Sequence, residues 1–97
     1  MTTRHVLAID PSHPAFAGHF PARAVVPGVV LLDHGLRAID PTARWTIANA
    51  KFLSPVGPGE ALVLEAEPRA NGYAIRILAG DAERVAMTGS IAVERPA

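Results

Sequence analysis

Residues 28–39 are the one stretch of this chain with a helical pattern, and the pattern is apolar over most of its circumference. Pro27 suits a first helical turn, where a missing N–H costs nothing, and Pro41 stands just past the end. Val29, Val30, Leu31, Leu32, Leu36, Ala38 and Ile39 leave only Asp33, His34 and Arg37 as polar interruptions. A helix of this kind has to be buried on most sides. The other regular segments have strand character, so a sheet must supply the cover.

Residues 4–9 read as a short strand that stops at Asp10-Pro11. Residues 10–27 carry Pro11, Pro14, Gly18, Pro21 and Pro27 and cannot be one regular element. A loop that long in a small domain is where function tends to sit. Residues 44–54 read as a strand closed by the Pro55/Gly57/Pro58/Gly59 turn. In 61–67, Leu62, Leu64 and Ala66 alternate with Val63, Glu65 and Glu67, the period of a half-buried strand. Asn71-Gly72 signals a hairpin turn, Tyr73, Ile75 and Ile77 resume the alternation, and Gly80-Asp81 turns again. Val85, Met87, Ile91 and Val93 are expected to share one face. The expected order is strand, long loop, buried helix, then four strands in a meander. This is an α+β arrangement in which an antiparallel sheet of about five strands curls around one central helix. The chain, 1–97, contains no internal repeat or linker and reads as a single domain.

With 49% hydrophobic residues among 97, a core is possible, and a partner subunit is expected to complete it. Nine Lys and Arg balance nine Asp and Glu, without a basic run, so no electrostatic case exists for nucleic acid or an anionic membrane as partner. The absence of cysteine excludes disulfides, thiolate metal ligands and a thiol nucleophile. The N-terminus lacks an apolar signal core, and no apolar stretch reaches the roughly 18 residues of a membrane span. A cytoplasmic location is expected.

The stretch Gly18-His19-Phe20-Pro21-Ala22-Arg23-Ala24-Val25-Val26-Pro27-Gly28-Val29-Val30-Leu31-Leu32-Asp33 carries the chemistry. It resembles the signature of bacterial 3-hydroxyacyl-ACP dehydratases, in which a Gly-His-Phe-Pro loop leads into a Pro-Gly-Val helix start. A helix carboxylate follows that start at a fixed spacing. The resemblance is densest over residues 13–39. It continues through Ala50–Val56 and Gly59-Glu60, where the family also has a Phe strand and a Pro/Gly turn. The short chain looks closest to the compact dehydratase-like proteins of aryl-polyene and related lipid pathways. The resemblance implies a hotdog fold, a curved antiparallel sheet wrapped around the long helix. It also implies a homodimer, or a higher even-numbered oligomer, joined sheet edge to sheet edge with sites at the interface. There the His of one subunit faces the helix carboxylate of the other, and by position these are His19 and Asp33.

Loss of water from a 3-hydroxyacyl thioester needs a base for the proton beside the carbonyl and an acid for the departing hydroxyl. Imidazole suits the first role and a carboxyl the second. An acid on so apolar a helix is expected to be buried and to hold its proton. The helix start at Gly28-Val29 offers free N–H groups to the charge that builds on the thioester oxygen, and Gly28 allows close approach. Phe20, Pro27, Gly28 and Val29 are the expected substrate-binding residues, with Pro21 and Pro27 stiffening the loop. The substrate would be carried on the phosphopantetheine of acyl carrier protein, or on coenzyme A, with no dissociable cofactor and no metal. Three departures from the family stand out: Asp33 is one methylene shorter than the usual Glu, Ala22 and Ala24 replace Gly and Pro, and an N-terminal extension is expected to be missing.

The plainer readings are these. His19 would hold loop carbonyls. Asp33 would pair with Arg37 at i, i+4, worth about a few tenths of a kcal/mol when exposed. His34 reads as structural or as a dimer contact. His13, His19, Asp33 and His34 match no standard metal spacing. Arg23 reads as a solvated charge, the alternative being a contact with a phosphopantetheine phosphate. His5 and Lys51 read as surface or strand residues, and Tyr73 and Trp45 as packing. The rival functions are a thioesterase on the same fold, in which Asp33 activates water or attacks the thioester, and a non-catalytic acyl-binding subunit paired with an active homologue.

Overall fold

The helix expected at residues 28–39 forms with those bounds, α1 spanning Gly28–Ile39. The computed structural model describes residues 1–9, 26, 28–57 and 59–94. The expected loop at 10–27, with His13, His19, Phe20, Arg23 and Pro27, therefore lies outside the described residues except at Val26 and the helix start. The strands are β1 (Thr3–Leu7), β2 (Trp45–Phe52), β3 (Leu62–Arg69), β4 (Gly72–Ala79) and β5 (Arg84–Val93). All pairings are antiparallel. The helix ends where Pro41 follows Asp40, whose carboxylate turns to accept the N–H and hydroxyl of Thr42 at 2.9 and 2.8 Å.

The four-strand meander is corrected. The sheet order is β1-β3-β4-β5-β2, so only β3, β4 and β5 run as a meander. Both edges of β3 are occupied, by β1 and β4. The Pro- and Gly-rich segment after β2 is too long for a tight hairpin, and β2 instead joins the far edge beside β5. It is thereby an edge strand, and all its residues after Trp45 are exposed.

Side chains alternate across the sheet as the period of two requires. One row, His5–Leu64–Ile77–Met87–Phe52, crosses all five strands on the helix side. Leu64, Ile77 and Met87 are fully buried beneath Leu31 and Leu32 of the helix, forming the centre of the core. The next row, Arg4–Glu65–Arg76–Thr88–Lys51, lies on the outer face. There Glu65 accepts from Arg4 at 2.7 Å and from Arg76 at 2.5 Å, and Arg4 also reaches Glu83.

Two sequence signals have a different physical cause from the one expected. The register shifts between Ile77 and Leu78, so Met87 pairs with Ile77 but Val85 pairs with Leu78. Ala86 is the extra residue of a β-bulge, and Val85 falls on the opposite face from Met87. Gly72 already belongs to β4, paired with Arg69, and the loop is Ala70-Asn71. Glycine is needed there because a β-carbon would lie 1.9 Å from the Ile91 carbonyl oxygen.

Candidate functional site

Val26 brings the chain to the helix. It is buried, and its N–H donates to the Val56 carbonyl at 2.7 Å, tying the helix entry to the segment that follows β2. Val56 is itself 1% exposed, so this joint is sealed in the core. Beside this joint lies a cavity of about 440 Å³ lined by Val26, Gly28, Val29, Leu31, Phe52, Leu53, Ser54 and Pro55. Its walls are aliphatic and aromatic, with the Ser54 hydroxyl and the helix-start backbone as polar groups. Such a lining fits a hydrocarbon chain with a polar group at one end. The first-turn N–H groups of a helix have no partner within it, and no acidic side chain stands in this first turn.

The wall opposite the helix is tied to the start of β5. The Ala86 carbonyl accepts from the N–H of Leu53 at 2.8 Å and of Ser54 at 3.3 Å. Arg84 donates to the Ser54 hydroxyl at 2.9 Å, to the Pro55 carbonyl at 2.6 Å and to the two Glu60 oxygens at 2.7 and 2.8 Å. Glu60 in turn accepts the Gly57 N–H at 2.7 Å. The Arg84 guanidinium, with the Gly57 N–H, holds the Glu60 carboxyl down to about 2.

Gly28 and Val29, expected to bind substrate, both line this cavity. Asp33 does not. It lines a separate depression of about 290 Å³ toward the helix end, with Arg37, Asp40 and Trp45. Its side chain is 56% exposed, and Arg37 Nε lies 3.1 Å from Oδ2. The expected burial of Asp33 is thus not met within one protomer, and the i, i+4 pair is present. The reason is helical geometry: Val29, Asp33 and Arg37 form one stripe, and the sheet covers the other side. Val29 is 73% exposed on that stripe, so the helix is open along one line. His19, Phe20 and Pro27 lie outside the described residues, so their relation to Asp33 rests on the sequence.

Trp45 and Tyr73 meet edge to face with centroids 6.0 Å apart, as packing residues do. His34 is half-buried on the helix. Among the described residues no cluster of three His, Asp or Glu side chains is placed to hold a metal, and no helix is long and apolar enough to cross a membrane. A larger depression, about 500 Å³, lies around Glu65, Glu67 and Arg76 and contains none of the expected site residues.

The sequence matches the ApeI-like family, described as ApeI dehydratase, over residues 2–89. The chain belongs to the ApeI-like dehydratase family. Its fold is that of a solved relative, the dehydratase heterocomplex ApeI:P from Xenorhabdus doucetiae. The two superpose with a TM-score of 0.78 at 26% identity over 97% of this chain and 88% of that one. An uncharacterized protein from Erwinia carotovora is similar at a TM-score of 0.71 and 32% identity, over 96% and 82% of the two chains. The five-stranded antiparallel sheet packed against helix α1 is therefore a hotdog fold. Among curated relatives, the 3-hydroxyacyl-[acyl-carrier-protein] dehydratase FabZ of Aeromonas hydrophila is 36% identical over 80 residues, covering 68% of this chain and 52% of that protein. The FabZ of Haemophilus ducreyi is 36% identical over 78 residues, covering 66% and 51%. The chain spans about half the length of the curated relatives it matches.

Sequence reading missed Arg84 and Ser54. Arg84 was one of several scattered cations, and its partners Ser54 and Glu60 lie 30 and 24 residues away. No local pattern marks such a contact. Ser54 and Glu60 each carried a usable signal, since Ala50–Val56 and Gly59-Glu60 both sit in the stretch of family resemblance.

Proposed function

We propose that this chain dehydrates a 3-hydroxyacyl thioester to the trans-2-enoyl thioester, with the acyl group carried on acyl carrier protein or coenzyme A. Membership of the ApeI-like dehydratase family over residues 2–89 carries the reading. The apolar cavity at the helix start, where Gly28 and Val29 were expected to meet substrate, supports it.

In this reading His19 takes the proton from the carbon next to the carbonyl, and that electron pair forms the new double bond. The carbon–oxygen bond at the next carbon breaks, and Asp33 supplies a proton so that the hydroxyl leaves as water. Negative charge on the thioester oxygen is met by N–H groups of the first helical turn. Elimination of this kind changes no oxidation state of the protein and uses no dissociable cofactor.

Asp33 lies on the open stripe of the helix, next to the edge strand β2, so a second protomer is the natural cover for it. Ile47, Phe52 and Leu53 are 46%, 51% and 53% exposed, and with Val29 they give that side its apolar surface. Joining β2 edges would also pair backbone groups on the side of β2 away from β5, which no strand among the described residues covers. Two protomers would then share each site, His19 from one and Asp33 from the other.

Mass spectrometry of carrier-bound 3-hydroxyacyl chains incubated with the protein tests the reaction. Loss of one water with the thioester intact is the expected result. Release of free acid and thiol would instead establish the thioesterase, and binding of acyl carrier protein without turnover would favour a binding subunit.

A further inference from the structure

We propose that Arg84, locked to Glu60, is a positioning residue that sets the acyl-chain preference of the cavity by holding the wall made of Ser54 and Pro55. This rests on the dehydratase reading for the identity of the ligand, but not for the mechanics of the wall.

Three consecutive lining residues, Leu53, Ser54 and Pro55, belong to no strand or helix. Each is nevertheless fastened to the first residues of β5. The backbone N–H groups of Leu53 and Ser54 go to the Ala86 carbonyl, and the Ser54 hydroxyl and Pro55 carbonyl go to Arg84. Arg84 is not among the residues that line the cavity, so its effect there is exerted through the two it grips. An exposed ion pair alone adds little to stability. This one differs because the same guanidinium that meets Glu60 in a fork also reaches a backbone carbonyl and a hydroxyl of the wall. Glu60 keeps the fork oriented and holds the far end of the segment through the Gly57 N–H. Lysine has one compact ammonium and cannot serve Glu60 and two wall acceptors in a plane.

The facing wall, Gly28, Val29 and Leu31, is carried by the helix and held by its backbone hydrogen bonds. On the other side, where Ser54 and Pro55 stand helps to set the width of the cavity, and Arg84 fixes those two. A loosened wall accepts chains of different length with less discrimination, because each methylene of fit is lost or gained at that surface.

The test uses a series of 3-hydroxyacyl-pantetheine thioesters of increasing chain length with the wild type, Arg84→Ala, Arg84→Lys and Glu60→Gln. For the best chain KM should rise about tenfold in Arg84→Ala, with kcat changed less than about threefold, and the length preference should flatten. Arg84→Lys should show the same flattening, and Glu60→Gln a smaller one. The proposal is overturned if all chain lengths fall by one common factor that tracks lost thermal stability, or if lysine restores the wild-type profile. Calorimetric titration with saturated acyl-pantetheine thioesters, which have no hydroxyl to lose, separates this proposal from the dehydratase reading. A wild type that binds them with a length preference that Arg84→Ala flattens, yet eliminates no water, upholds the positioning role while the catalytic reading falls. A wild type that binds none of them overturns the positioning role.

Discussion

Gly28 lies so close beneath the Phe52 ring that a β-carbon there would come within 2.6 Å of Cε1 and 2.8 Å of Cδ1 and Cζ. The helix start and the end of β2 thus meet at a point where only hydrogen fits, and both residues line the cavity. Phe52 is half exposed, so its ring has room to swing aside. Gly28→Ala should leave the fold intact, with Tm changed by only a few degrees, because the displaced group is a half-exposed side-chain ring and not backbone. Acyl binding should weaken by about tenfold as the ring is driven across the cavity. The Gly28→Ala/Phe52→Ala double variant should recover part of that affinity. The check is titration of all three variants with a saturated acyl-pantetheine thioester.

Gly72 presents the opposite case. A β-carbon there would meet the Ile91 carbonyl oxygen at 1.9 Å, and that oxygen belongs to a central strand. Gly72→Ala should destabilise by about 3 kcal/mol, the range of severe single substitutions. For a domain of this size that lowers Tm by more than about 10 °C, measurable by thermal unfolding.

The Glu60 carboxyl is held at about 2, below its ordinary value of 4.5. A depressed carboxyl adds stability that is fully present above the unfolded value and is lost as pH falls through the folded one. The wild type should therefore lose Tm between pH values of about 4.5 and about 2 more steeply than Glu60→Gln, whose amide does not titrate there. Thermal unfolding of both proteins across that range, at fixed salt, makes the comparison.

Much of the fold was legible because hydrophobic period survives in the sequence. The helix at 28–39 was bracketed by two prolines, and β3 and β4 displayed plain alternation. The position of β2 was not legible, since which edge a strand joins depends on which edges are already taken. The face of Val85 was hidden by a single extra residue, Ala86, that reverses the alternation. At the site, Gly28 and Val29 could be read from the motif, and both line the cavity. The apolar sequence neighbours of Asp33 predict burial, but burial follows the helical stripe, and Val29 and Arg37 share the open one. Arg84 was invisible because its partners are far along the chain.

Pairing through β2 makes its own prediction. Ile47, 46% exposed on that edge strand, is outside the cavity lining. A charge introduced there should oppose edge pairing. Ile47→Lys should sediment as a monomer with an unchanged circular dichroism spectrum and should lose dehydration together with the dimer. A variant that remains dimeric would move the interface to another surface, and a wild type that sediments as a monomer would leave Asp33 without its cover.

A site shared between protomers would take His19 from one and Asp33 from its partner. Mixing the inactive variants His19→Ala and Asp33→Asn under conditions that exchange subunits tests it most directly. A mixed dimer would carry one doubly altered site and one intact site, so random exchange should restore about a quarter of wild-type dehydration. Mixed dimers seen by native mass spectrometry, but with no activity above that of the separate variants, would contradict the shared site.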